Sequence, residues 1–461
     1  MTWQRAKNLS TALLLILSCG GCALHRVSLE SFHHTLARGE YRAAQNIADG
    51  HIGRREPPKV LLWELQAGAV DRLLRNYSSS NRHLDQAEDG FRFYDQQVLA
   101  GKSAQYAPGI FFNDSALPYT GTSFDRTMVN TYKAINYAIL GDAASARVEF
   151  NRALQRQNEA KTLFAARAEQ LRTRLAIEQE TFSMDNRTAD EALGDPELNR
   201  IIRERYKNLN EFKVYADFVN PFATYMAGLF FWLEGDTAKA VDLLKEAYAM
   251  SGGNSTAASD FARAARGETP AGELWVVFEN GLAPRRGEMR IDLPLLQGRD
   301  GIQYIGAAFP ILAMGEAAYS YLSISATGGG TVRTEPLADM DAVVIAEFRQ
   351  DLPAVTLREI TRVLLKAAVQ YQMQKNYGIV GGVTVGVYQA ATTAVDIRSW
   401  TALPKNFQLA HLPLPSDRAL TLTPAGGADI AIKIPTGCKN VILYVRAVSP
   451  GLDPVYDFIL F

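Results

Sequence analysis

From about residue 30 to residue 270, apolar and small residues recur at helical spacing, and one arrangement repeats. Gly141-Asp142 is followed by Ala146, Phe150 and Ala153, at offsets of 5, 9 and 12 from the glycine. Gly235-Asp236 is followed at the same offsets by Ala240, Leu244 and Ala247. Arg75 stands in the glycine place before Ser80, Leu84 and Ala87, and Gly39 precedes Ala44 and Ala48 before His51 breaks the pattern. The pattern predicts helix pairs. Glycine ends one helix, an acidic or amide residue caps the next, and small residues let that helix lie close on its neighbour. From Asp142 to Leu193 there is neither Gly nor Pro, and a break at Gly194-Asp195-Pro196 precedes further helical spacing. This predicts a long antiparallel hairpin over about 143–213, held by an apolar seam.

The periodicity changes after Met250–Gly272, a Gly- and Ser-rich stretch that sets the expected domain boundary. Beyond it the alternation becomes strand-like. Leu274–Phe278 reads as a buried strand, and Met289, Ile291 and Leu293 alternate with polar neighbours. Tyr319–Ala326 and Val343–Phe348 are further strand candidates. Ile430, Ile432 and Ile434, then Val441, Leu443 and Val445, then Phe458 and Leu460 read as closing strands. A helix is expected from Pro353 and Thr356 to about Asn376. The expected fold is α+β: a helical array over 23–270 with its long hairpin, followed by a mixed α/β domain over 271–461. Gly-Asp-x-x-x-Ala-x-x-x-aromatic/Leu-x-x-Ala resembles the second half of a tetratricopeptide repeat. Tyr132, Ala134 and Tyr137, and likewise Tyr225, Gly228 and Phe231, resemble its first helix. Stacked helix pairs of that kind leave a long concave face that binds proteins.

The start of the chain bears on location. Arg5 and Lys7 precede the apolar Leu13–Leu17, and Ser18-Cys19-Gly20-Gly21-Cys22 follows. A span needs about 20 apolar residues, so this shorter stretch reads as a secretion signal over 1–22. Its cysteine would carry the lipid. Cys19, with Ile16 at −3 and Ser18 at −1, fits the lipoprotein pattern somewhat better, while Cys22 has Gly20-Gly21 before it. Neither is followed by Asp, which makes the periplasmic face of the outer membrane the expected destination. Asn376–Val395 is uncharged, with Gly378, Gly382, Gly386, Ala390 and Ala394 every four residues. That stripe suits a buried helix packed closely on a neighbour, with a membrane span as the alternative.

Composition narrows the chemistry. The 461 residues are 47% hydrophobic, enough for two or three cored domains. Lys and Arg number 48 against 49 Asp and Glu, so the net charge of −1 offers no basic face for nucleic acid. Outside the signal, Cys438 lies in a turn before a strand and reads as a packed thiol, so no internal disulfide framework is expected. No phosphate-cradling loop, zinc helix or nucleophile elbow occurs. His33-His34 are adjacent, which points their rings apart as joint ligands, and Asp339 and Asp341 flank Met340 before an expected strand. Asp396-Ile397-Arg398-Ser399-Trp400, followed by Leu403-Pro404, is the most conspicuous polar group of the second half. Asp396 and Arg398 share a face of an extended segment, an ion pair beside Trp400 that would brace the domain.

The order of these features resembles a poorly characterised family of bacterial lipoproteins with tetratricopeptide-like halves. Tyr119-Thr120-Gly121, Tyr132-Lys133-Ala134, Gly141-Asp142 with Ala146–Phe150, Asn220-Pro221-Phe222, and Asp396–Trp400 with Leu403-Pro404 carry the resemblance. It implies genes lying near small lipoproteins similar to activators of cell-wall synthases and to curli-channel subunits, and it supplies no catalytic residues. The expectation is a non-enzymatic scaffold or assembly factor of the cell envelope. Its only prosthetic chemistry would be covalent diacylglycerol and N-acyl lipid, with no metal. Its partners would be envelope proteins or lipoproteins, with room for an oligomer. The alternatives are a subunit or accessory of an export channel, and an envelope hydrolase with dispersed catalytic residues.

Overall fold

The computed structural model describes residues 26–53, 57–100, 118–181, 219–296, 302–326, 330–353, 355–363 and 395–461, with six isolated residues between 196 and 207. Cys19, Cys22, most of the second hairpin arm, and all but the last residue of the uncharged run lie outside them. The helices come first: α1 (26–37), α2 (Tyr41–Ile52), α3 (Pro57–Leu73), α4 (Tyr77–Leu99), α5 (Ser123–Ile139), α6 (Ala143–Thr181), α7 (Pro221–Leu233), α8 (Thr237–Met250) and α9 (Ser255–Ala265).

One turn joins α1 to α2, α3 to α4, α5 to α6, and α7 to α8. Its central residue is left-handed every time: Gly39 at φ 78°, Arg75 at 60°, Gly141 at 80° and Gly235 at 84°. Each donates its N–H three residues back, to Leu36, Arg72, Ala138 and Trp232, at 3.0–3.1 Å. The next residue, Glu40, Asn76, Asp142 or Asp236, donates five residues back, at 2.8–3.1 Å. These two bonds satisfy carbonyls that a helix end otherwise leaves open. Ala44, Ser80, Ala146 and Ala240, five residues on, are fully buried, as are Ala48, Leu84 and Leu244 at the next offset, with Phe150 there almost so. Ala87, Ala153 and Ala247 complete the buried stripe. The expected side-chain caps are corrected. Asp142 alone of the four accepts such a bond, from Ser145 N at 3.0 Å, and Glu40, Asn76 and Asp236 accept none. The backbone bonds already set the turn, which leaves Glu40 to pair with Arg38 and Asp236 with Arg147.

The strands follow: β1 (Glu273–Asn280), β2 (Arg285–Leu296), β3 (Ile302–Ala313), β4 (Leu322–Ala326), β5 (Thr331–Arg333), β6 (Glu335–Asp339), β7 (Asn406–Pro413), β8 (Ala419–Pro424), β9 (Ile430–Lys433), β10 (Asn440–Ala447) and β11 (Val455–Leu460). Helices α10 (340–353) and α11 (355–363) lie between β6 and β7. A five-stranded sheet runs β11-β10-β1-β7-β6, parallel only between β1 and β10, and a four-stranded sheet runs β5-β4-β8-β9. β2 and β3 form a separate ladder, paired from Arg285↔Ala313 to Leu296↔Ile302.

The larger sheet lies between two cores. Trp275, Val277, Phe407, Leu409, Ile442 and Tyr444 pack on the helices, where Phe222 of α7 stacks on Phe407 at 3.6 Å. Leu274, Val276, Phe278, Leu412, Leu443 and Val445 pack on Ile324, Leu420, Leu422 and Ile432 of the smaller sheet. Burial on both faces explains why β1 reads as a continuous apolar run. The architecture is α+β, in three layers: helices, sheet, sheet. One expectation is overturned: Val343–Phe348 is helical, inside α10, and every residue from Met340 to Phe348 is buried. A short apolar run buried all round has no periodicity to separate strand from helix. Asp339 therefore ends β6 and Asp341 lies in the first turn of α10, and no strand follows them directly.

Candidate functional site

The polar groups singled out in the sequence collect where helices meet the larger sheet. Asp396 and Arg398 form a two-pronged ion pair, Nε to Oδ1 at 2.7 Å and Nη2 to Oδ2 at 2.9 Å. The guanidinium lies 5.8 Å from the Tyr119 ring centroid. Trp400 is buried and meets Tyr132 of α5 edge-on, with centroids 5.8 Å apart. Gln66 of α3 fixes the same segment from the other side. Its Nε2 donates to Ser399 O and Thr401 Oγ1 at 3.1 Å each, and its Oε1 accepts from Ala402 N at 3.2 Å. Further along, Lys405 Nζ reaches both Asp339 Oδ1 and Asp341 Oδ2 at 2.6 Å. The two acids are thus bridged by one ammonium. His33 and His34 have ring centroids 6.3 Å apart, and burial beside Arg285 lowers the His33 pKa to about 4. The turn residues Gly141 and Gly235 and their buried followers lie within the helix pairs rather than at this junction.

A denser group sits beside Trp400. Arg72 of α3 is sandwiched between aromatic rings, 4.1 Å from the Tyr132 centroid and 5.2 Å from that of Tyr444 in β10. It bonds Asn136 of α5 and lies 3.9 Å from Glu279 Oε1, at the end of β1. Glu279 also accepts from the Tyr444 hydroxyl and pairs with Arg446 Nε at 3.5 Å. Arg446 in turn donates to Gly281 O at 2.6 Å and Ala402 O at 3.3 Å. Burial disfavours charge on Arg72, but Tyr444 and Glu279 more than offset it, so its pKa stands above the usual value. Burial, then Glu279, holds the Tyr132 and Tyr444 phenols well above theirs. They stay neutral donors at any physiological pH. The cavity lined by Arg72, Tyr132, Glu279 and Tyr444 measures about 20 Å³. That admits roughly one water molecule and no substrate.

A third group seats the start of α5. Thr122 and Asp125 form a capping box there, and the Glu347 carboxylate of α10 accepts from Ser123 N at 2.9 and 3.0 Å. Burial, then the nearby Asp351, raises the Glu347 pKa to about 7. Alongside, Asp95 of α4 holds Arg126 at 2.7 Å and Arg167 of α6 at 3.2 Å. Burial and Arg126 lower the Arg167 pKa to about 10. Lys133 of α5 sits among Asp85, Glu88 and Glu149 at 2.7, 2.8 and 3.1 Å. A helix N-terminus and these cations suit buried acids. Near Cys438, Arg418 Nη1 lies 3.3 Å from the sulfur.

Sequence reading missed Gln66, Arg72, Glu279, Glu347 and Arg446. A signal for two of them was available. Glu279 and Arg446 interrupt apolar strands, and a charge in a strand buried on both faces needs a partner. Among the described residues, no group of three or more His, Cys, Asp or Glu is placed to hold a metal ion, and no helix is long and apolar enough to cross a membrane. Comparison with protein-family models, with curated proteins and with solved structures finds no match.

Proposed function

We propose that the chain is a non-enzymatic lipoprotein of the bacterial outer membrane, facing the periplasm, whose helix pairs form a divergent tetratricopeptide-like array that binds another envelope protein. The observation that carries this reading is the fourfold recurrence of one helix–turn–helix unit, with the same left-handed residue, the same two hydrogen bonds and the same buried small residues. A chain that repeats a backbone unit while varying its surface is built to present that surface. The polar junction supports the role by fixing the array to the sheet through Arg72, Glu279, Gln66 and Trp400. In this reading Asp396 and Arg398 brace the connection, and the mixed domain supplies rigidity. Acyl chains on Cys19 or Cys22 would hold the assembly at the membrane. Two signals are needed for stable anchoring by lipid, and diacylglycerol plus N-acyl chains exceeds that requirement.

The test has two arms. Palmitate labelling in cells should be lost on Cys19→Ser or on Cys22→Ser, and labelling that survives both substitutions together overturns the anchor. Photo-crosslinking groups at the exposed apolar positions Leu140, Val148 and Tyr248 should capture one envelope protein reproducibly. The same groups at Thr421 and Lys433 of the smaller sheet should not. Equal capture from both layers, or none from the helices, overturns the binding role.

A further inference from the structure

Strand β11 closes the larger sheet, and its outer edge differs from the other sheet edges among the described residues. Asn440 and Phe461 exchange hydrogen bonds, at 3.1 and 3.0 Å. Pairs alternate along an antiparallel ladder, so Ile459, Asp457 and Val455 bond β10 in the same way. Tyr456, Phe458 and Leu460 therefore direct their N–H and C=O groups away from β10. Among the described residues no hydrogen bond uses those outward groups. These three residues also line one face of the strand. Tyr456 and Phe458 are half-buried at the margin of the sheet–sheet core, and Leu460 is 46% exposed.

The other edges are guarded. At β6, Asn254 Nδ2 donates to Glu335 O and Pro336 O at 3.1 Å each. β5 has three residues and ends at Arg333, β9 has four and ends at Lys433, and β2 and β3 contain Pro294 and Pro310. Short strands, cations and prolines are the usual protections against edge pairing. Val455–Phe461 contains no Pro, Lys or Arg, and its one charge, Asp457, is held by Arg75 and Tyr77.

We propose that β11 pairs antiparallel with β11 of a second copy of this chain, making a two-fold dimer with one continuous ten-stranded sheet. One antiparallel register uses all three outward residues of the strand. With Phe458 opposite its own copy on the axis, Tyr456 falls opposite Leu460 and all three outward pairs bond at once. A two-fold axis normal to the sheet keeps like faces together, so the half-exposed Tyr456, Phe458 and Leu460 become one covered apolar stripe. Asp457 then faces Ile459, which keeps the two carboxylates out of opposition. A register centred on Asp457 would oppose them and set Leu460 against Pro454, which has no N–H to donate.

The experiment is sedimentation equilibrium of the full chain, with Leu460→Lys and Phe458→Pro as variants. Leu460→Lys puts a charge at an exposed edge position. Phe458→Pro removes an outward N–H and leaves the β10 ladder intact. Wild type should form dimers, and each variant that keeps the wild-type circular dichroism should weaken dimerisation tenfold or more. Should Phe458→Pro fail to fold, Leu460→Lys decides alone. A monomeric wild type at about 100 μM, where only contacts weaker than roughly 5 kcal/mol would escape, overturns the proposal. So does an oligomer that a folded Leu460→Lys retains.

Discussion

The turns at Gly235 and Arg75 share a backbone and differ in what they do with it. A Cβ added at Gly235 would meet no atom within 4 Å, so conformation alone accounts for glycine there. Arg75 takes the same left-handed conformation with a full side chain, at a cost of roughly 1–2 kcal/mol. That side chain grips Asp457 of β11 through Nε at 2.7 Å and Nη2 at 2.9 Å, and Tyr77 donates to the same carboxylate at 2.8 Å. One unit of the array is thus shaped by its own chain geometry. The other has accepted local strain at the point where it touches the sheet. The difference separates two kinds of order in the molecule, a short-range one inside each helix pair and a long-range one at the helix–sheet junction.

The long-range order should be the more costly to disturb. Glu279→Gln leaves Arg72 and Arg446 buried without a counter-charge, and breaking such a group typically costs about 3–5 kcal/mol. Urea unfolding should show that loss. A loss below about 1 kcal/mol would mean that the aromatic rings around Arg72 hold the junction and that the acid is incidental.

Next in size is a pH effect at the seat of α5. The folded-state pKa of Glu347 is about 7 against an ordinary 4.5, so the folded chain binds the proton more tightly. Its contribution is fully present below about pH 4.5 and is lost as pH rises through about 7, on the order of 3 kcal/mol. Glu347→Gln keeps an acceptor for Ser123 N and cannot ionise. The gap in stability between variant and wild type should therefore widen in favour of the variant between pH 5 and 8. Arg167 and Arg286 of β2 are the cations whose charges act on this carboxylate, and a constant gap would show that they already neutralise it.

This division also explains what could be read in advance. Gly39, Gly141 and Gly235, with Arg75 among them, were recognisable because the turn and its buried followers span only 13 consecutive residues. The strands β1, β2, β10 and β11 were legible by alternation or apolar run. Asn406–Pro413 and Ile302–Ala313 were not, because Pro310, Gly306 and the polar Asn406, Gln408 and His411 blur their alternation. Val343–Phe348 carried β-branched residues into a helix, since packing on all sides overrides propensity. The junction was least visible. Gln66 finds its partners at Ser399, Thr401 and Ala402, and Arg75 finds Asp457, more than 330 positions away in each case. No local pattern encodes such pairs. Asp396, Arg398 and Trp400 stood out only because they lie side by side.

Smaller effects test the turns themselves. Gly235→Ala adds a methyl group to open space, so any loss reports backbone strain, expected at about 1 kcal/mol in thermal unfolding. The same measurement at Arg75 resolves two opposing contributions. Arg75→Ala keeps the strain and loses the contact with Asp457, whereas Arg75→Gly loses the contact and relieves the strain. The Arg75 side chain is 59% exposed, which limits the ion pair to about 0–1 kcal/mol. Arg75→Gly should therefore be neutral or slightly stabilising, and Arg75→Ala should lie below it by about the Gly235→Ala loss. If Arg75→Gly instead destabilises by 2 kcal/mol or more, the turn is not equivalent to the one at Gly235 and its contact with β11 belongs with the junction. Tyr77, which holds Asp457 from the first residue of α4, would then have to be counted with Arg75 as part of that joint.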